Sequence, residues 1–359
     1  MAGEILIYVG TYCDKEGDGI FVYRMDSDSG ELDLLSSVTG IPNPSFLDID
    51  SKKQNLYAVN EIGEFDGKAA GAVSAYSIDA ESGALTYLNT KSAGGTGPCH
   101  LSIDQTDNYV LVANYGGGSV AILPVQEDGS LGEATDFIQH DGSSINPNRQ
   151  MEPHGHSISI GPTNRFAYAA DLGLDKVIVY EIDFEGGKLE SSSEVVVKGG
   201  EGPRHFDFHR SGKFAYLINE MGNTFTAFTC DSETGRLEEI QTVSTLPEDF
   251  TETSYCADVH VSADGKFLYG SNRGHDSIAI CSIDQETGEL TSVDIESTGG
   301  KNPRNFGIDP TGTFLLAANQ DTGNIVTFRR DCGTGRLAAT DAVTKVPSPV
   351  CVQFVMRDE

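Results

Sequence analysis

A hairpin signature returns seven times along this chain at intervals close to fifty residues, and few folds can accommodate such a pattern. The copies are DSDSGEL from Asp26, DAESGAL from Asp79, QEDGSL from Gln126, DFEGGKL from Asp183, DSETGRL from Asp231, DQETGEL from Asp284 and DCGTGRL from Asp331. Each sets acidic or small residues and then a glycine between two β-rich runs, because the turn needs a residue that accepts positive φ. The glycines Gly30, Gly83, Gly129, Gly187, Gly235, Gly288 and Gly335 are spaced by 53, 46, 58, 48, 53 and 47 residues. A step of that size holds a four-stranded unit, the size of one propeller blade.

Two further markers repeat in phase with the turn. One is a strand ending in Asn60, Asn114, Asp171, Asn219, Asn272 or Asn319. The other, just before it, is a strand starting at NPSFLDID, GPCHLSID, PHGHSISI, GPRHFDFH, YCADVHVS or NPRNFGID. The unit therefore reads strand a, strand b, strand c, acidic glycine turn, strand d, and six copies are complete. The N-terminus adds ILIYVG, GIFVYRM and LDLLSSV, a b, c and d without an a, whereas SPVCVQFVM at the C-terminus is an a without successors. Counting from Asn319 through the C-terminus to Gly10, taken as the matching slot, gives a wrapped step of 50. The expectation is an all-β, seven-bladed propeller of four antiparallel strands per blade, residues 1–359 as one domain, with the last blade shared by the two termini. A β-sandwich leaves seven phased copies unexplained, no long segment has helical periodicity, and the absence of tryptophan argues against WD-type repeats.

Composition narrows the partners. The formal charge of -30, from 54 acidic and 24 basic residues, repels phosphate backbones, so nucleic acid is excluded; the acidic excess falls at hairpin turns as a solvated rim. Cys13, Cys99, Cys230, Cys256, Cys281, Cys332 and Cys351 are an odd, scattered set without a CxxC pair, which fits a reducing cytoplasm better than a disulfide framework or a zinc site. MAGEILIYVG has no basic start or long apolar run, and nothing later approaches the ~18 apolar residues of a membrane span. The chain is read as neither exported nor membrane-anchored. Its oligomeric state is left open.

In an antiparallel blade the start of strand a and the end of strand b share one face, and strand a is innermost. That face carries His100, His154, His156, Arg204, His205 and Arg304 at the starts of a, and Glu61, Glu220 and Arg273 after the ends of b. The long d-to-a linkers 140–153 and 244–255 lean over it as wall or lid candidates. The asparagines ending strands b are read as turn formers, and PHGH alone lacks a third metal ligand at a recognisable spacing, so no metal and no cofactor is expected. Packing explains His100, His154 and His205 as readily as ligand binding does. For Arg204, Glu220, His156 and Arg273 the alternative is a set of interblade ion pairs. Converging on a channel mouth, they could instead hold an anion and move a proton.

The phased blades resemble the seven-bladed lactonase family, which includes propeller-type 6-phosphogluconolactonases and fungal carboxy-muconate lactonizing enzymes. The likeness rests on Arg149, Gln150 and Pro153 to His156, on AADLGLDKVIVY, on GPRHFDFH with FAYLINE, and on DGKFLYGSNRG. It implies His156, Arg204, Glu220 and Arg273 as the catalytic set, with His154, His205, Arg149, Glu61, His100 and Arg304 as substrate-binding candidates. The expected reaction is metal-independent hydrolysis of a small anionic lactone, first of all 6-phospho-glucono-1,5-lactone. His156 then activates water, Glu220 orients or relays, and Arg204 and Arg273 hold anionic oxygens; the roles of His156 and Glu220 can be exchanged. Muconate lactonization, or a non-enzymatic propeller binding a protein, are the alternatives. Cys256, Ala257 and Asp258 depart from the charged strand starts, which leaves the substrate's identity less constrained.

Overall fold

The computed structural model describes residues 4–357; Met1–Gly3, which open the MAGEILIYVG segment, and Asp358–Glu359 lie outside the described residues. Among the described residues, 28 strands and no helix make seven four-stranded antiparallel sheets. Blades 1 to 6 span residues 47–92, 98–139, 155–196, 203–244, 255–297 and 303–345. Blade 7 pairs the C-terminal strand Pro349–Met356 with Ile5–Thr11, followed by Asp18–Met25 and Leu32–Thr39. The innermost strands touch in sequence around a closed circuit, blade 7 meeting both blade 6 and blade 1. The shared blade therefore closes the ring. No described helix is long and apolar enough to cross a membrane.

Burial follows position in the blade. Strands b are buried almost end to end, as in FAYLIN of blade 4, because neighbouring blades cover both faces, which is why they read as unbroken apolar runs. Strands d alternate and are half exposed, as in LEEIQTVS. Seven apolar clusters fill the spaces between successive blades, one of them joining Ile7 and Val9 of blade 7 to Phe314 and Leu316 of blade 6.

The turn glycines are needed twice over. All seven have positive φ. Gly288, at φ 75°, also lies so close to the Phe214 ring of the preceding blade that a Cβ would sit 2.5 Å from it. Its carbonyl accepts a 3.1 Å hydrogen bond from Tyr216 Oη, and Tyr57 to Gly129 and Tyr269 to Gly335 repeat the arrangement at 3.0 and 2.8 Å. One signature thus forms its own hairpin and docks it on the blade before.

Two readings are corrected. The Asn and Asp residues ending strands b do more than shape turns: Asp171 accepts the local Leu174 amide and Asn219 bonds Thr224 and Thr226 of its own blade, but the buried Asn114, Asn272 and Asn319 also donate to the carbonyls of Ala93, Thr245 and Thr298, just past strand d of the preceding blade. They tie blades together. In blade 7 the slot belongs to Thr11, one residue beyond Gly10. Thr11 pairs with Pro349 as Asn219 pairs with Pro203, and its hydroxyl bonds the Gly19 carbonyl.

Candidate active site

The site is built by a bulge at the start of strand a. In blades 2, 3, 4 and 6 the ladder register slips between Pro98 and His100, Gly155 and Ser157, Pro203 and His205, and Pro303 and Asn305. The residue left unpaired is Cys99, His156, Arg204 or Arg304. A bulge re-aims that side chain out of the ladder while its neighbours stay in it.

A cavity of about 280 Å³ opens there. The bulges contribute Cys99, His156 and Arg304, the positions after strands b contribute Glu61, Tyr115 and Glu220, and Arg273 is the last residue of strand b of blade 5. Arg149 comes from the 140–153 linker, which forms wall, and Tyr255 is the first residue of strand a of blade 5, where the 244–255 linker ends. The 140–153 linker is anchored at both ends: His140 pairs with Asp171 at 2.6 Å, and Gln150 donates to the Leu172 carbonyl at 2.8 Å. A larger groove of about 690 Å³ lies between blades 7 and 1 beside Ile41, Tyr76 and Tyr87, and no histidine or arginine lines it.

Glu220 is the hub. Its Oε1 accepts Arg149 Nη2 at 2.7 Å, and its Oε2 meets Arg273 Nη2 at 2.8 Å and Arg204 Nε at 3.1 Å. Burial alone would raise its pKa, but Arg273, Arg204 and Arg149 outweigh that and hold it down to about 2. Glu220 is therefore anionic, with its proton affinity spent on guanidiniums. His156 Nε2 lies 3.6 Å from Glu220 Oε2. Burial, then the charge of Arg204, sets the His156 pKa well below 6.5, so its ring is neutral. Cys99 Sγ is 3.6 Å from His156 Nδ1 and donates to the His156 carbonyl at 3.2 Å; burial pushes its pKa far up, and it remains a thiol rather than a nucleophile.

The other sequence candidates fall on different tiers. Arg204 is not in the cavity: it is 2% exposed beneath Glu220 and also donates to the Ala257 carbonyl. His100 and His205 stay in the ladder next to bulged residues and point into the channel one level down, their rings 5.2 Å apart and His205 5.5 Å from His156. Burial and Arg204 bring His205 down to about 4, and its Nδ1 meets Asp258 Oδ1 at 2.7 Å. His154 stacks on Tyr115 at 4.5 Å beside the cavity, with Nδ1 3.0 Å from the Tyr115 carbonyl. Cys99, Tyr115 and Tyr255 were missed, although Tyr115 follows Asn114 as Glu220 follows Asn219, a signal present in the repeat. Among the described residues, no three His, Cys, Asp or Glu side chains are grouped to hold a metal ion.

Chemically the cavity offers a neutral imidazole beside a fixed carboxylate, rimmed by guanidiniums. It can take a proton from water and return it, and it can bind an anion.

A sequence profile described as "Lactonase, 7-bladed beta-propeller" matches residues 6–354. The chain is 40% identical to a 6-phosphogluconolactonase of Bacillus subtilis over 348 residues, 97% of each chain. It is 38% identical to a 6-phosphogluconolactonase of Formosa agariphila over 338 residues, 92% of this chain and 94% of the other. A solved structure, the periplasmic gluconolactonase of Pseudomonas aeruginosa, superposes with a TM-score of 0.92 at 34% identity, covering 98% of this chain and 99% of that one.

Proposed function

This chain belongs to the seven-bladed β-propeller lactonase family, so its reaction is hydrolysis of a lactone, and we propose that its substrate is 6-phospho-glucono-1,5-lactone, opened to 6-phosphogluconate. The observation that carries the mechanism is the neutral His156 facing a Glu220 whose charge is pinned by three arginines.

Water attacks the lactone carbonyl as His156 Nε2 takes its proton. The imidazolium that forms is stabilised by the Glu220 carboxylate alongside it. Charge developing on the carbonyl oxygen meets the guanidinium groups of Arg149 and Arg273, which line the cavity beside Glu220. When the ring C–O bond breaks, the imidazolium returns its proton to the departing alkoxide, leaving a hydroxy acid. Glu220 is a poor base, because a carboxylate held at about 2 accepts a proton only in strong acid. Arg204 acts through Glu220 and is a positioning residue.

The groups in this mechanism are all organic, and lactonase activity is expected to survive exhaustive EDTA treatment unchanged. Loss on chelation, with recovery on adding Ca²⁺ or Zn²⁺, would replace the scheme with a metal-assisted one. The pH profile is a second check. The base must be unprotonated, and a histidine pKa lowered from 6.5 keeps it so further into acid. Accordingly kcat/KM should stay level from about pH 8 down past 6.5 and fall only in more acidic solution. An acid limb centred at or above 6.5 would show that the working base is an ordinary, solvated histidine.

We place the enzyme in the cytoplasm. All seven cysteines are unpaired and four of them are buried, as expected where thiols stay reduced.

A further inference from the structure

We propose that Arg304 is the phosphate anchor and sets a preference for phosphorylated over unphosphorylated lactones; the inference rests on the lactonase reading. Four arginines lie in or beneath the cavity, and Arg149, Arg204 and Arg273 are all engaged by Glu220. Arg304 is not. Among the described residues it makes no ion pair and no hydrogen bond, although its guanidinium lines the cavity.

The fourth arginine is nevertheless held in place. It extends from the bulge after Pro303, with its guanidinium carbon 5.3 Å from the centroid of the Tyr12 ring. Tyr12 is fixed in turn, its hydroxyl donating to Glu61 Oε2 at 2.8 Å, and Ser45 Oγ donates to the same oxygen at 2.5 Å. Glu61, whose charge acts on Arg304, is thus engaged with two hydroxyls and forms no ion pair with it. A planar cation pre-oriented on an aromatic ring, with its donors free, is suited to a bidentate phosphate contact.

Position distinguishes this anchor from the reacting end. His156 starts strand a of blade 3 and Glu220 follows strand b of blade 4, whereas Arg304 starts strand a of blade 6, across the channel mouth. Blade 5 has Ala257 in the matching slot, fully buried and outside the cavity lining, so no bulge side chain of that blade enters the cavity. In a 6-phospho-1,5-lactone the carbonyl carbon C1 and the carbon C5 both flank the ring oxygen, and the phosphate hangs on C6 beyond C5, a few bonds from the reacting carbon. With the carbonyl at His156, the phosphate stays within the same cavity, where Arg304 offers a guanidinium that Glu220 does not engage.

The experiment compares hydrolysis of 6-phospho-glucono-1,5-lactone and glucono-1,5-lactone by the parent and by Arg304→Gln. The parent should favour the phosphorylated substrate. The variant should lose roughly 30-fold or more in kcat/KM on that substrate, mostly through KM, and stay within about threefold on the other. Inorganic phosphate should inhibit the parent competitively and the variant much more weakly. Equal losses on both substrates, or no loss on the phosphorylated one, would overturn the assignment. A parent that hydrolyses both lactones equally well removes the phosphate anchor but leaves the lactonase reading standing, whereas a parent inactive on both removes the substrate proposal as well. If the glutamine variant fails to fold, Arg304→Lys carries the same test: it keeps the charge and loses the bidentate fork, so it should show a smaller loss confined to the phosphorylated lactone.

Discussion

Alanine at position 156 is expected to lower kcat by roughly two to four orders of magnitude while leaving KM within a few-fold, the pattern of a lost general base. The side chain is buried against the cavity, and its contacts across blades are long ones, 3.6 Å to Glu220 and 3.6 Å to a Cys99 thiol that also bonds the Gly155 and His156 carbonyls, so the variant should fold. Steady-state kinetics on the phosphorylated lactone read both constants. Wild-type turnover in the folded variant would sink the assignment and leave these residues as interblade structure. Glu220→Gln is a less clean partner experiment. It removes the charge that balances Arg149, Arg204 and Arg273, and Arg204 is fully enclosed. Breaking a buried ion pair on one side costs about 3–5 kcal/mol, so a fall in kcat there should come with a lower melting temperature. The His156 variant should show the first without the second.

A chain ending at Pro347 should fail to form the closed propeller at all. The deleted segment is strand a of blade 7, hydrogen-bonded along its length to Ile5–Thr11. Val350, Cys351, Val352 and Val355 are buried, and they belong to the clusters on both sides of the blade or pack beside them. The Val352 amide also donates to Asn305 Oδ1 of blade 6 at 2.8 Å, and Leu47 of blade 1 donates its amide to Cys351 Sγ at 3.3 Å. Four apolar side chains at about 1.5–3 kcal/mol each come to about 6–12 kcal/mol, comparable with the whole stability of a typical domain. Thermal unfolding followed by circular dichroism is expected to lose its cooperative transition. A truncated chain that melts where the parent does would mean that the ring closes some other way.

Much of this molecule could be read from the residues in order. Gly30, Gly83 and their five counterparts count the blades, because a tight hairpin needs positive φ and the neighbouring side chain, an aromatic ring at Gly235, Gly288 and Gly335, leaves no room for a Cβ. The unmatched b, c and d at one end and the unmatched a at the other show how the ring closes. The channel-mouth face follows from antiparallel pairing alone, and so does the convergence of His156, Glu220 and Arg273 upon it. The sequence could not say which of two adjacent residues faces the ligand. Arg204 and His205, or Cys99 and His100, differ by one position, and in a regular strand they would simply point to opposite sides. A bulge at the strand start turns the first of each pair out of the ladder, Cys99 to the cavity wall and Arg204 beneath Glu220, and leaves the second in it. The division of labour among the arginines was equally out of reach, since it depends on which guanidiniums Glu220 can touch, and that is a matter of distances across blades. The local chemistry of turns and strands wrote out the architecture, and only the three-dimensional packing decided which charges meet and which one, Arg304, is left free.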